Sequence, residues 1–214
     1  MQNRFFNLFL LISIFFLSIN KSFSEDEFTS LDLDKDQNKI VQKALESCKD
    51  VNYENLLNIR KEKLGVSEPD KTINKKKQLD NSLGIEVSRS IETIYTPEQS
   101  LDNVNKILSS IKDDRLYPAI KYYIIKDFAF YESGLCKSLK NHFSTYNIYK
   151  EFYFKTVNGE LDPIYENENN INFFYKNSLA ARKRLLLAIQ SKNRLLEKEK
   201  FLLENLKIFT EKFI

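Results

Sequence analysis

The chain has 214 residues and a formal net charge of +3. It contains only four Gly and four Pro, which argues against a β-rich fold because tight turns depend on both residue types. The near balance of charge argues against a general nucleic-acid-binding protein, since such a protein needs a clear basic excess to displace counterions from phosphates.

The first 24 residues have the organisation of an export signal. Arg4 precedes an apolar run from Phe5 to Ile19, which is too short and too interrupted to span a hydrocarbon core of about 30 Å comfortably. Ser22 and Ser24 are small residues at the expected cleavage site. We therefore predict a signal peptide over residues 1–24 and a periplasmic or secreted mature chain that contacts a membrane only through the cleaved leader. The alternative is a leader that remains as an anchor helix.

Cys48 and Cys136 are the two cysteines of the chain. In an oxidising compartment, two cysteines are expected to form one disulfide. The loop it closes would be about 90 residues long, which the chain-entropy model values at about 4–5 kcal/mol. The alternative is two buried thiols, because a free cysteine packs like a small apolar residue. Two cysteines and one histidine do not make a structural zinc site.

The mature chain, residues 25–214, is predicted to form a single helical domain. Apolar residues from Ile40 to Cys48 recur on one helical face, and a second helical pattern ends at Leu64. Gly65 and Pro69 then form a helix stop, because Gly adopts a left-handed conformation at low cost and Pro cannot continue the hydrogen-bond ladder. These signals predict a helical hairpin.

Residues 67–84 are predicted to form a flexible loop. They contain the triple lysine at 75–77 and very few apolar side chains, so burial does not offset the entropy of ordering them. From Ile85 to Tyr95 the apolar spacing favours a helix over a strand. The sequence from Thr96 to Gln99 (TPEQ) then marks a helix start, with an N-cap, Pro at the first helical position and Gln in place to close a capping box.

A nearly all-apolar segment starting at Pro118 is predicted to be a buried central helix. An interruption is expected at Ser133 and Gly134. The aromatic segment from Phe143 to Val157 follows, and it ends in Asn-Gly at 158–159. That dipeptide fits either a helix end or a β-hairpin turn, and the lack of alternation on its return side favours the helix end.

The C-terminal segment 171–214 contains no Gly or Pro and carries an unbroken apolar heptad. We predict one amphipathic helix of about 60 Å at 1.5 Å per residue, which exceeds the diameter of the domain. Part of its apolar stripe is therefore predicted to bind a protein partner or a second copy of the chain. The residues assigned to this interaction face are Leu195, Leu202, Leu206 and Phe209.

Three short features resemble parts of functional sites. Asp32 to Asp36 is similar to the opening of a calcium-binding loop, but Gln37 and Lys43 stand where that loop requires Gly and Glu. We interpret the segment as an acidic helix start. His142 lacks the accompanying nucleophile motif of a catalytic histidine and is interpreted as a partly exposed residue at a helix end. The basic run at 182–184 is interpreted as a solvated helix face. No catalytic residue, metal or cofactor is predicted.

Glu132 is the candidate for acid catalysis. Glu132-Ser133-Gly134 is similar to the surroundings of the catalytic Glu in lytic transglycosylases, whose acid must lie in an apolar cleft to hold its proton. The similarity covers three residues, and the Gly-Leu-Met-Gln-like stretch of that family is missing from the sequence. We interpret Glu132 as a surface residue at a helix end and keep a peptidoglycan-acting enzyme as an alternative function.

Together these patterns predict an all-α protein, an irregular bundle of about five to seven helices with a long amphipathic C-terminal helix. The function we expect is that of an exported, non-enzymatic binding or scaffold protein of the cell envelope. Besides the peptidoglycan-acting enzyme, the aromatic segment 143–154 leaves a carrier of hydrophobic ligands as an alternative.

Overall fold

The computed structural model describes residues 31–69, 74–92, 94–111 and 117–206. These residues form six α-helices, a short 3₁₀ turn and no strand, so the predicted all-α bundle is confirmed. None of the described helices is long and apolar enough to cross a membrane. The predicted signal peptide and Phe209 lie outside the described residues. The helices are α1 (Lys35–Ser47), α2 (Tyr53–Leu64), α3 (Asn74–Ile91), α4 (Pro97–Ser110), α5 (Tyr117–Val157) and α6 (Glu168–Asn205).

Helices α5 and α6 form an antiparallel hairpin that is the scaffold of the fold. They contain 41 and 38 residues, so each is close to 60 Å long at about 1.5 Å per residue. They share the largest helix–helix interface of the described structure. The apolar heptad of α6 faces inward, with Ala181, Ala188, Leu195 and Leu202 buried. The prediction of one continuous C-terminal helix is therefore confirmed as far as Asn205.

The hairpin turns at the Asn-Gly pair where α5 ends. Gly159 has a φ of +68°, and the Glu160 amide donates a 2.8 Å hydrogen bond to the Lys155 carbonyl. This arrangement closes the C-terminus of a helix. The 3₁₀ turn, Pro163–Tyr165, connects it to α6. The preference for a helix end over a β-hairpin turn at this dipeptide is confirmed.

The four shorter helices pack against one end and the middle of the hairpin. Helices α3 and α4 cover the start of α5 and the end of α6, and α2 packs on the first half of α5. Helix α1 lies further along the hairpin, where Val41 belongs to the same apolar cluster as Leu139. The apolar clusters shared with the short helices reach Tyr146 on α5 and Ala181 on α6. The hairpin projects beyond them.

The helix-capping residues predicted from the sequence have their predicted roles in the structure. The Gln99 amide donates to Thr96 Oγ1 at 3.2 Å, and the Thr96 amide donates to Gln99 Oε1 at 3.0 Å, which is the predicted capping box of α4. Gly65 ends α2 with a φ of +60°, as its position before Pro69 predicts. These interactions are set by residues close in sequence, so sequence alone identifies them.

Helix α3 begins at Asn74, so the flexible loop predicted over residues 67–84 is wrong for residues 74–84. Residues 67–69 have no regular secondary structure, and residues 70–73 lie outside the described part of the chain. Leu83, Val87 and Ile91 recur every four residues, are buried, and pack with α4 and α5. The burial of these three side chains stabilises the helix, although the polar composition of the segment favours a loop. Lys and Gln have high helix propensity, so the residues before Leu83 extend the helix at little cost in free energy. The helix expected from Ile85 is confirmed up to Ile91.

The interruption predicted at Ser133 and Gly134 is also wrong, since α5 runs through both residues. Gly134 is exposed and lies in open space. A single Gly in a helix interior costs about 1 kcal/mol relative to Ala. Burial of Glu132 and Cys136 on either side of it holds the helix together across this weak point.

Cys48 and Cys136 form the predicted disulfide, with their Cα atoms 5.3 Å apart and a separation of 88 positions in sequence. Both are buried. Cys48 is the C-terminal cap of α1, and Cys136 lies in the middle of α5. The disulfide therefore fixes the end of the first helix to the central helix.

Gly134→Ala is expected to raise the free energy of unfolding by about 0.5–1 kcal/mol, because a helical backbone in open space accepts a methyl group without a clash. Urea unfolding followed by circular dichroism measures the change. Gly65→Ala is the matched control, and it is expected to lower stability by about 1 kcal/mol, since the φ of +60° at Gly65 disfavours a Cβ. A Gly134→Ala variant less stable than wild type would show that the chain turns at this position.

Candidate functional site

Four charged side chains from three helices meet inside the bundle. Arg60 on α2 donates from Nη2 to Glu132 Oε2 at 2.8 Å. The same guanidinium binds Glu199 on α6 in a bidentate manner, with Nε and Nη2 each 2.7 Å from a carboxylate oxygen. Lys192 Nζ lies 3.5 Å from Glu132 Oε1. We call these residues, Arg60, Glu132, Lys192 and Glu199, the charge network.

The charge network lies close to the disulfide. Lys192 also donates a 3.0 Å hydrogen bond to Ser47 Oγ, and Ser47 precedes Cys48. Cys136 follows Glu132 by one helical turn on α5. At this level of the hairpin, α1, α2, α5 and α6 are therefore joined by one covalent bond and a set of ion pairs.

The electrostatics of the charge network favour its paired form. Burial opposes the charge on Arg60, but the hydrogen bonds and charges of Glu199 and Glu132 outweigh it and raise the pKa of Arg60 above its ordinary value. The bidentate geometry between a guanidinium and a carboxylate is the strongest arrangement for such a pair. The network can therefore fix the positions of α2, α5 and α6 along one another.

Glu132 was expected at the surface near a helix end, and the structure contradicts this. It lies in the middle of α5, is buried, and pairs with Arg60 and Lys192. The alternative role as a general acid requires apolar surroundings that favour the protonated carboxyl. Glu132 instead faces two cations, which are partners of a carboxylate.

A groove opens between α2 and α6, and two residues of the charge network, Arg60 and Glu199, line it. Its volume is about 560 Å³. Of these two lining residues, Arg60 is buried and Glu199 is half-buried. Lys63, Lys200 and Glu204 line it at the solvent side. The apolar residues of its walls are Ile59, Leu64, Leu196 and Leu203.

The interaction face assigned to the C-terminal helix is wrong for three of its four residues. Leu195, Leu202 and Leu206 are 1%, 0% and 2% exposed and belong to the core formed with α3, α4 and α5. The fourth, Phe209, lies outside the described residues. From Ala181 to Leu202, the heptad residues are buried within the chain, because α5 and the short helices cover them.

The remaining sequence features have structural roles. Asp34 caps α1 by accepting a 2.7 Å hydrogen bond from the Gln37 amide, which agrees with the acidic helix start. His142 is half-buried in the interior of α5 and not at a helix end. In the basic run 182–184, Arg182 is buried and donates to Gln37 Oε1, so only the other two residues form a solvated face.

The projecting end of the hairpin exposes a cluster of large apolar side chains. Part of this cluster belongs to the aromatic segment 143–154, which the alternative of a hydrophobic-ligand carrier uses, and the rest had no predicted role. We call residues 148–176 the hairpin tip. Within it, Phe152 stacks on Phe174 with ring centroids 5.4 Å apart, and Tyr149 meets Phe173 edge-on at 5.9 Å. The exposed apolar side chains of the tip are Ile148, Phe152, Phe154, Val157, Ile164, Tyr165 and Phe173.

Asp127 is a half-buried acid outside the charge network, and its Oδ2 atom is buried. Burial raises the pKa of this carboxyl to about 6, although Lys126 and a hydrogen bond from Ser88 act in the opposite direction. Among the described residues, its Oδ2 atom has no hydrogen-bond partner. Asp127 lies where α3 packs on α5, and it opposes folding when it is ionised.

No family model, no curated protein and no solved structure matches this chain. Among the described residues, no group of three His, Cys, Asp or Glu side chains is placed to hold a metal ion. The geometry of the groove, the charge network and the tip is therefore the basis for assigning a function.

Glu132→Gln is expected to lower the free energy of unfolding by about 3 kcal/mol, because it removes the shared counter-charge of Arg60 and Lys192 inside the protein. Glu151→Gln, on the same helix, is the control. Its carboxylate is exposed and pairs with Lys155, so the expected change is within about 0.5 kcal/mol. Equal effects in chemical denaturation would show that the charge network is not buried in solution.

Asp127→Asn is expected to stabilise the protein above pH 6 and to have less effect near pH 4. The pKa of Asp127 is raised in the folded state, so the folded protein retains this proton while the unfolded chain loses it, and stability falls as pH rises through the window from about 4 to 6. The Asn side chain of the variant cannot ionise, so the variant is expected to avoid this loss of about 2–3 kcal/mol in the free energy of unfolding, the equivalent of a pKa difference of about two. Thermal unfolding at a series of pH values measures it, and a pH-independent difference between the two proteins contradicts the assignment.

Proposed function

We propose that the chain is an exported, non-enzymatic binding or scaffold protein of the cell envelope, and that the hairpin tip is its binding surface. The observation that carries this proposal is the cluster of exposed aromatic and aliphatic side chains at the projecting end of the α5–α6 hairpin. Soluble proteins seldom leave such groups clustered in water without a binding role. Aromatic side chains are also the residues that contribute most to protein interfaces.

The remainder of the structure supports the tip as a rigid arm. Tyr146 donates its hydroxyl hydrogen to the Leu31 carbonyl at 2.9 Å, and Lys150 forms an ion pair with Asp32. These contacts fasten the start of the described chain to the base of the tip. Ring contacts then connect the two helices further out, such as the pair Tyr153 and Tyr175 at 5.5 Å. A rigid surface loses little conformational entropy on binding.

The disulfide between Cys48 and Cys136 supports export, because such bonds persist in oxidising compartments and are rare in the cytosol. It is compatible with the predicted signal peptide over residues 1–24. The proposal keeps the C-terminal helix as part of the interaction surface, but at its first turns around Phe173 instead of at the buried leucine stripe.

Site-specific photo-crosslinking in the native host tests the binding role. A photoreactive amino acid at Ile164, which is 68% exposed at the tip, is expected to capture a partner. The same group at Ile94, which is 79% exposed between α3 and α4, is the matched control and is expected to capture none. The absence of crosslinks from position 164, or equal crosslinks from both positions, contradicts the assignment of the tip.

The same cells test export. Mass spectrometry of the purified protein is expected to show an N-terminus at Glu25, and alkylation without a reductant is expected to leave Cys48 and Cys136 unmodified. Recovery of an intact leader with two alkylated cysteines in the cell interior would remove the export part of the proposal.

A further inference from the structure

We propose that the end of the hairpin tip of one copy docks in the groove between α2 and α6 of a second copy. This inference rests on the proposed function, since it takes the tip to be a binding surface, and it names the partner of that surface as the same chain. The interaction joins two different surfaces, so it links the copies head to tail.

The end of the tip is an apolar knob flanked in sequence by acidic residues. Ile164 and Tyr165 are 68% and 48% exposed. They lie in the 3₁₀ turn, which Asp162 fixes by accepting a 3.1 Å hydrogen bond from the Ile164 amide. The segment 158–170 contains four acidic residues and no basic residue. The four carboxylates, all exposed, belong to Glu160, Asp162, Glu166 and Glu168.

The groove has the complementary character. Its walls are apolar, and Ile59 on α2 is 60% exposed there with its side chain uncovered in the monomer. Its volume of about 560 Å³ lies within the range of about 300–1,000 Å³ typical of binding pockets. An apolar knob can therefore bury its side chains in this groove.

The charges that line the groove leave an excess of positive charge. Arg60 and Glu199 neutralise each other within the charge network. Of the exposed lining residues, Lys200 lies 3.8 Å from Glu204, which leaves the charge of Lys63 in excess. The four exposed carboxylates that flank the knob in sequence are attracted to such a rim, and opposite charge at the edge of an interface fixes its orientation.

The position of the two surfaces requires that they belong to different copies. The groove begins at Leu196, 28 residues after the start of α6 at Glu168, which is about 42 Å along the helix. The knob cannot reach the groove of its own chain. A copy docked through one of its two surfaces still offers the other, so the assembly grows with concentration unless the geometry closes a ring.

Sedimentation analysis of the purified, oxidised mature chain over a wide concentration range tests the proposal. The wild type is expected to grow beyond a dimer as the concentration rises, and to dissociate as salt is added, because screening weakens the contact between rim and knob. A wild type that stays monomeric throughout overturns the proposal.

Two variants with exposed substitutions locate the interface. The knob variant Ile164→Ser with Tyr165→Ser, and the groove variant Ile59→Glu, are each expected to associate at least tenfold more weakly. Ile94→Ser, an equally exposed apolar substitution away from both surfaces, is expected to associate like the wild type. Circular dichroism confirms that every variant is folded. Unchanged association in either surface variant overturns the proposal.

Mixing the two surface variants gives the most specific readout. The knob variant keeps an intact groove, and the groove variant keeps an intact knob, so an equimolar mixture is expected to form one-to-one dimers and nothing larger. A mixture that remains monomeric overturns the proposal. If purified copies do not associate but crosslinks from position 164 to a different protein persist in cells, this inference fails and the proposed binding role of the tip stands.

Discussion

The buried contact between Arg60, Glu132 and Glu199 is the constraint on which the arrangement of the helices depends. It joins residues 72 and 139 positions apart in sequence and connects α2, α5 and α6. Taking such charges out of water is costly, so the network adds little net stability compared with apolar packing. Its effect is on register, because a shift of any one helix by a turn would leave a charge buried without its partner. Together with the disulfide, it fixes the base from which the hairpin projects.

The same physics explains which parts of the structure could be predicted from the sequence. The capping box at Thr96, the left-handed Gly65 and the heptad of α6 depend on neighbouring residues, and all three were predicted. The partners of Glu132 are set by tertiary packing, and nothing near it in sequence identifies Arg60 or Lys192. A carboxylate followed by Ser-Gly therefore looked like an exposed helix end.

The leucine stripe of α6 shows the limit of a periodic pattern. A heptad identifies the face of a helix that is buried, but it does not identify what buries it. The length of α6 suggested that part of this face must meet another chain, but α5, with 41 residues to the 38 of α6, packs along it within the same chain. The start of α3 illustrates the opposite error, since a polar segment was predicted as a loop although Leu83, Val87 and Ile91 hold it as a helix.

The proposed binding surface is the part of the hairpin that the short helices do not cover. Because α5 and α6 are longer than the bundle at their base, their ends must either be polar or bind something else. The aromatic residues of α5 and α6 meet each other across the tip, as in the stacked pair Phe152 and Phe174, but two helices cannot bury all faces of their side chains. Two helices alone cannot enclose these aromatic rows, so part of each row stays exposed to water, and this exposure is the physical basis of the binding role proposed for the tip.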